Sequence, residues 1–167
     1  GSVGGTAIAD GSITSADLNA SLLNGTFWNL GGNAGNTPGA QFLGTTDNQP
    51  LEFRVNGTRA LRLEPTIDAA SHSGLANVVG GSPANTVDAG VYGATIAGGG
   101  AEHFSQRLGP NRVQADFGTI GGGSGNTIQT NADYATIGGG HYNAIQTTAG
   151  FATIGGGEAN NVQFLAY

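Results

Sequence analysis

Tyr134-Ala135-Thr136-Ile137-Gly138-Gly139-Gly140 decides how this chain folds, because the chain repeats it. Three other stretches can be laid over it: Tyr92-Gly93-Ala94-Thr95-Ile96-Ala97-Gly98-Gly99-Gly100, Phe117-Gly118-Thr119-Ile120-Gly121-Gly122-Gly123 and Phe151-Ala152-Thr153-Ile154-Gly155-Gly156-Gly157. A degenerate copy, Val78-Val79-Gly80-Gly81-Ser82, precedes them. The central residues Val79, Ile96, Ile120, Ile137 and Ile154 recur at steps of 17, 24, 17 and 17 residues. Self-similarity at a short fixed step marks a solenoid, in which one repeat is one coil that cannot bury its apolar face alone.

A second series follows the glycines: Asn85-Thr86-Val87, Asn111-Arg112-Val113-Gln114, Asn126-Thr127-Ile128-Gln129, Asn143-Ala144-Ile145-Gln146 and Asn160-Asn161-Val162-Gln163. Each coil therefore holds two short strands. The glycine triplet makes one corner, since glycine accepts the positive φ that tight corners need, and the Thr-x-Ala stretch makes the other. The expected fold is all-β, a parallel β-roll or solenoid of ~17-residue coils over residues 76–167.

Side chains alternate along a strand. The Ile face is expected to fill the coil interior, with Ile128, Ile145 and Val162 entering from the facing strand. The Asn column (Asn85, Asn111, Asn126, Asn143, Asn160) is expected to bond corner backbone groups or its own members, because buried amides need partners. The opposite face would carry Tyr92, Phe117, Tyr134 and Phe151 beside Thr119, Thr136 and Thr153. A row of large aromatics should not face water over a long patch. In so thin a coil the natural cover is another copy of the chain, so an oligomer of this chain is expected.

The remainder divides in two. Residues 1–26 read as a tag scar (Gly1-Ser2), a linker and a short stalk helix near 14–23, capped by Thr14 or Ser15 with Leu18 and Leu22 on one face. Residues 27–75 read as a connector anchored by Phe27, Trp28 and Phe42, with a β-hairpin over 49–63. Asn56-Gly57 between two alternating runs is a strong hairpin signal. A two-residue turn alone would pair Leu51 with Arg62 and mix the faces. A turn with one extra residue would pair Leu51 with Leu61 or Leu63 and put Glu52 and Arg62 on the other face. The odd register is preferred, because a one-residue slip sends the apolar set to water.

Composition agrees with a thin core. Leu, Ile, Val and Phe make about a fifth of the 167 residues, and glycine alone contributes 32. The net charge is −6, with five arginines and no lysine, which disfavours nucleic acid and anionic membranes. Without cysteine there is neither a disulfide nor a thiolate metal site. No apolar run approaches the ~20 residues needed to span a bilayer, so no direct membrane insertion is expected.

Candidate chemistry is sparse. The 24-residue step holds an insertion, roughly 101–110, whose His103, Phe104, Gln106 and Arg107 are the candidate binding residues, because insertions in repeat proteins leave as loops and often form the binding face. His72, His103 and His141 lack metal-ligand spacing. The carboxylates Glu102, Asp116, Asp133 and Glu158 form no ladder of the kind a glycan-cleaving spike would use. No catalytic residue, metal or cofactor is assigned.

The motif Thr-Ile-Gly-Gly-Gly-x-x-Asn-x-Ile resembles the head repeat of trimeric autotransporter adhesins. The stretch Phe42-Leu-Gly-Thr-Thr-Asp-Asn-Gln-Pro-Leu-Glu-Phe-Arg-Val-Asn-Gly57, with Arg59-Ala-Leu-Arg-Leu63 following, is similar to segments of bacterial and phage tail-fibre-domain proteins. The resemblances imply a left-handed parallel β-roll of three chains and a segment of a longer fibre. They imply an extracellular place, on a cell surface, a phage tail or an injection particle. The implied job is structural and adhesive, with a surface glycan or protein as receptor. A glycan-degrading tail-spike module and an ice-binding solenoid are the alternatives.

Overall fold

The structure, a computed structural model, describes residues 9, 12–14, 17, 28, 30–66, 74–101 and 109–164. The chain forms two compact units, Gly1–Gly44 and Thr45–Tyr167. In the first, the described residues form turns. Gly32, Gly35 and Gly39 have positive φ, and the Thr37 carbonyl accepts from the N–H groups of Ala40 and Gln41. Most of the helix expected over 14–23 lies outside the described residues. Within it, the Asp17 carboxylate accepts from the N–H and the hydroxyl of Thr14, at 2.8 and 2.7 Å. That is one arm of a capping box. There is no α-helix among the described residues.

The second unit is a parallel β-solenoid of five coils. Each coil gives one strand to each of two sheets. The first sheet stacks β3 (Ala76–Gly80), β5 (Thr95–Ile96), β7 (Thr119–Ile120), β9 (Thr136–Ile137) and β11 (Thr153–Ile154). The second stacks β4 (Thr86–Val87), β6 (Arg112–Val113), β8 (Thr127–Ile128), β10 (Ala144–Ile145) and β12 (Asn161–Val162). The registers align Val79, Ile96, Ile120, Ile137 and Ile154 in one column. They align Val87, Val113, Ile128, Ile145 and Val162 in the other. Ile96, Ile120, Ile128, Ile137 and Ile145 are wholly buried. Two further columns complete the interior: Ala94, Gly118 and Ala135, two residues before the isoleucines, and Val91, Ala115, Ala132 and Ala149 at the corner. Residues this small let the walls close on a core one side chain thick.

A hairpin closes the first coil. Strands β1 (Leu51–Val55) and β2 (Thr58–Pro65) pair antiparallel, and β2 continues antiparallel onto β3. The register pairs Leu51 with Leu63, Glu52 with Arg62 and Phe53 with Leu61. The turn is only the two residues Asn56 and Gly57, both at positive φ. The extra residue expected in the turn instead sits in the strand as a bulge, because Arg54 pairs with Arg59 and Ala60 is left over. Its carbonyl is still used, accepting from the Gly81 N–H at 3.0 Å. Arg59 seals the adjoining corner by donating to the carbonyls of Ser82, Pro83 and Asn85.

Candidate functional site

The aromatic column differs from its expected placement in two ways. Phe117, Tyr134 and Phe151 are not strand residues; they occupy the corner before the strand, with φ of 56°, 61° and 61°. Side-chain alternation along the strand therefore does not set their direction. The rings stack on one another, with centroids 4.9 and 5.0 Å apart and planes within 7°. Tyr92 is the second correction, since it does not belong to the column. With Ile96 beside Ile120, the slot under Phe117 falls to Gly93, which has φ +64° and lies against that ring. Tyr92 takes the slot of Asp116 and Asp133 instead. The overlay fails by one residue because the Phe117 copy lacks a residue that the Tyr92 copy has. Exposure rises along the column, from 52% at Tyr134 to 78% at Phe151.

The Asn column forms as the amide chemistry demands. Asn85, Asn111, Asn126 and Asn143 are buried. Each side-chain oxygen accepts from the backbone N–H of the next Asn, at 2.9–3.0 Å. Their amide groups donate to carbonyls of the glycine corner, as Asn126 does to Gly122 and Gly140. Asn77 is a buried polar residue that the repeat did not single out. It stands where later coils have Ala94 or Ala135, donating to the Val91 carbonyl and accepting from the Ala94 N–H, both at 2.9 Å.

His103, Phe104, Gln106 and Arg107 lie outside the described residues. The described residues on either side of them, Ala101 and Gly109, exchange two backbone hydrogen bonds, at 3.0 and 3.2 Å. The Gly109 carbonyl also accepts from the Gly125 N–H at 2.8 Å. The described residues on either side of the insertion are thus tied to one another and to the next coil.

Ser124, His141 and Glu158 succeed one another on that corner as isolated parallel bridges. His141 Nδ1 is 3.5 Å from Glu158 Oε1. By composition this is a Ser-His-Glu set. However, the N–H of Ser124 donates to Gly140 and that of Gly125 to Gly109, so neither is free as an oxyanion donor. Glu158 is 77% exposed, so its pairing with His141 is weak in water. Asp116 and Asp133 have backbone work. Asp116 accepts from the Tyr92 N–H and Asp133 from the Asp116 N–H. Among the described residues, no group of three or more His, Cys, Asp or Glu could hold a metal.

Two clefts flank the hairpin. One, of about 320 Å³, is lined by residues including Arg62, Glu64, Thr66, Asn77, Asp88 and Val91. The other, of about 390 Å³, lies between the hairpin and the Pro83 corner. Comparison with protein-family models, curated proteins and solved structures finds no match for this chain.

Proposed function

We propose that this chain is a non-enzymatic, adhesive segment of a homotrimeric fibre outside the cell, on a cell surface, a phage tail or an injection particle. Attachment is to a surface glycan or protein. The observation that carries this reading is the stacked Phe117–Tyr134–Phe151 column, which runs along the roll with its outermost ring 78% exposed. The hairpin adds a second apolar surface: Phe53 is 40% and Val55 69% exposed, beside half-buried Leu51, Leu61 and Leu63. Two such surfaces on a core one side chain thick are best covered by sister chains. The repeat motif and the hairpin segment, with their resemblance to adhesin heads and tail fibres, support the same assignment. In it, the insertion between Ala101 and Gly109 is the contact to the receptor.

Light scattering tests the assembly. Three times the 16.5 kDa chain mass is expected, falling to one chain in a Phe151→Asp, Val55→Asp double variant. A wild-type monomer would remove the trimer. Binding of the labelled chain to a glycan array or to target cells tests the adhesion, and replacing residues 102–108 by a short glycine corner is expected to abolish it. Glycan cleavage or thermal hysteresis would replace the adhesive reading with another.

A further inference from the structure

Three of the five arginines meet at one place on this acidic chain. The 390 Å³ cleft between the hairpin and the first corner is lined by Glu52, Arg54, Thr58, Arg59, Arg62 and Pro83, among others. Its lining thus brings three arginines together with one glutamate, while Glu64 pairs with Arg62 from beside it. The rest of the chain is negative enough to give −6 overall, so the cleft is a local reversal of sign.

The arginines come together through the turn and the bulge. The two-residue turn sets Arg54 opposite Arg59, and the bulge shifts the register beyond it so that Arg62 stands opposite Glu52 rather than Leu51. Like charges across a ribbon repel, and the protein offsets this only in part. Arg54 donates through Nε and Nη2 to one oxygen of Glu52, at 3.0 and 2.6 Å. Arg59 spends Nη2 on the corner carbonyls. Arg62 Nε lies 3.1 Å from Glu64 Oε1, yet it is buried without a well-directed hydrogen bond. The field of the cluster shows at Glu52. Its carboxyl is held below the usual range, first by the Arg54 hydrogen bond and then by the charges of Arg54, Arg62 and Arg59.

We infer that this cleft is a binding site for an oxyanion displayed by a larger ligand, such as the carboxylate of an acidic sugar. Guanidinium forks match planar oxyanions, and with Glu52 beside Arg54 and Glu64 beside Arg62 one positive charge of the three is left over. Glu52 sits where such an anion would, as an internal competitor for Arg54. The inference does not depend on the trimer or on the insertion loop, so either can fail without it.

The competitor makes the test specific. Sodium glucuronate, sodium sulfate and methyl glucoside are titrated against the whole chain by calorimetry, at constant ionic strength. Glucuronate is expected to bind one site per chain and methyl glucoside not at all. Arg54→Gln, a largely exposed position, is expected to weaken glucuronate about tenfold or more. Glu52→Gln is expected to strengthen it about tenfold, since it frees Arg54 and removes a like charge. Sulfate binding alongside glucuronate would support a general oxyanion cradle, and glucuronate alone would support one that also reads the sugar. The inference is overturned if neither anion binds saturably to the wild type or to Glu52→Gln. It is equally overturned if methyl glucoside binds as well as glucuronate, or if both variants leave the affinity unchanged.

Discussion

The side-chain oxygen of Asn126 accepts two hydrogen bonds from Asn143, one from its backbone N–H at 3.0 Å and one from its amide at 3.1 Å. The same amide of Asn143 donates to the carbonyls of Gly139 and Gly157, at 3.0 and 2.9 Å. One side chain therefore ties its own glycine corner to the coils before and after it. Asn143→Ala would leave these groups without their partner in a site closed to water. Each buried orphan costs about 1–3 kcal/mol, so a loss of about 3 kcal/mol is expected in chemical unfolding. Asn143→Asp keeps the shape but turns acceptors against the Gly139 and Gly157 carbonyls. It is expected to cost more at pH 7 than at pH 3, where a protonated carboxyl can donate. Equal stability of Asn143→Ala and wild type would mean that the ladder is decorative.

The glycine corner admits side chains at some of its positions and not at others. A Cβ at Gly140 would strike the carbonyl oxygen of Gly157 and approach the Gly157 nitrogen and Asn143 Nδ2 to 2.8 Å, at a φ of +92°. A Cβ at Gly98 meets nothing within 4 Å. Gly140→Ala is expected to cost well over the ~1–2 kcal/mol of the backbone conformation alone, because the coils must also separate. Gly98→Ala is expected to change stability by less than about 0.5 kcal/mol. Thermal unfolding of the two variants side by side decides this, and similar midpoints would contradict the stacking geometry.

How far the sequence carried this architecture follows from what repeats. The Ile and Asn columns were legible because every coil must place the same group at the same height. So were the two strands per coil. Tyr92 was misplaced because the copies differ by one residue before Ala94 and Gly118, and only strand register shows which slot that residue leaves. The corner geometry of Phe117, Tyr134 and Phe151 was hidden because an aromatic before a β-branched pair looks like strand, whereas its positive φ is imposed by the coil's closure. Asn77, Arg59 and the bulge at Ala60 occur once each, where the roll begins, so no periodicity points to them. Each satisfies an end that later coils satisfy by stacking.

Asp88 and Arg112 join two coils across the irregular step. Arg112 Nε and Nη2 donate to the two oxygens of Asp88, each at 2.8 Å, and Gln114 adds a third bond at 2.9 Å. The Arg112 hydrogen bond foremost holds the Asp88 carboxyl below its ordinary value, helped by Gln114 and opposed by partial burial. A carboxyl lowered in the folded state contributes stability that is present above its unfolded pKa of about 3.9 and is lost as pH falls through the lower folded value. Stability attributable to the pair should therefore be level from pH 5 to 8 and decline below about pH 4. Because Arg112 is half exposed, the effect should be no more than about 1 kcal/mol. Asp88→Asn should be destabilised at pH 7 and converge on wild type near pH 2. A difference that persists undiminished in acid would assign it to packing rather than to charge.

Thr148 and Asn131 occupy the same corner slot in successive coils, both exposed, with φ of +66° and +59°. Asn tolerates this left-handed region, whereas a β-branched residue does so only under strain. The Thr148 hydroxyl donates to the carbonyl of Thr147 at 2.6 Å, a bond to its own neighbour that ties nothing to the next coil. The left-handed conformation costs an ordinary residue about 1–2 kcal/mol. Thr148→Asn should recover part of that and stabilise the roll by about 0.5–1 kcal/mol, a rise of a few degrees in Tm. The reciprocal Asn131→Thr should lower stability by a similar amount. Since neither side chain is packed, the two effects should be opposite in sign and the double variant should lie near wild type. Two shifts of the same sign would show that the corner is not shaped by backbone strain.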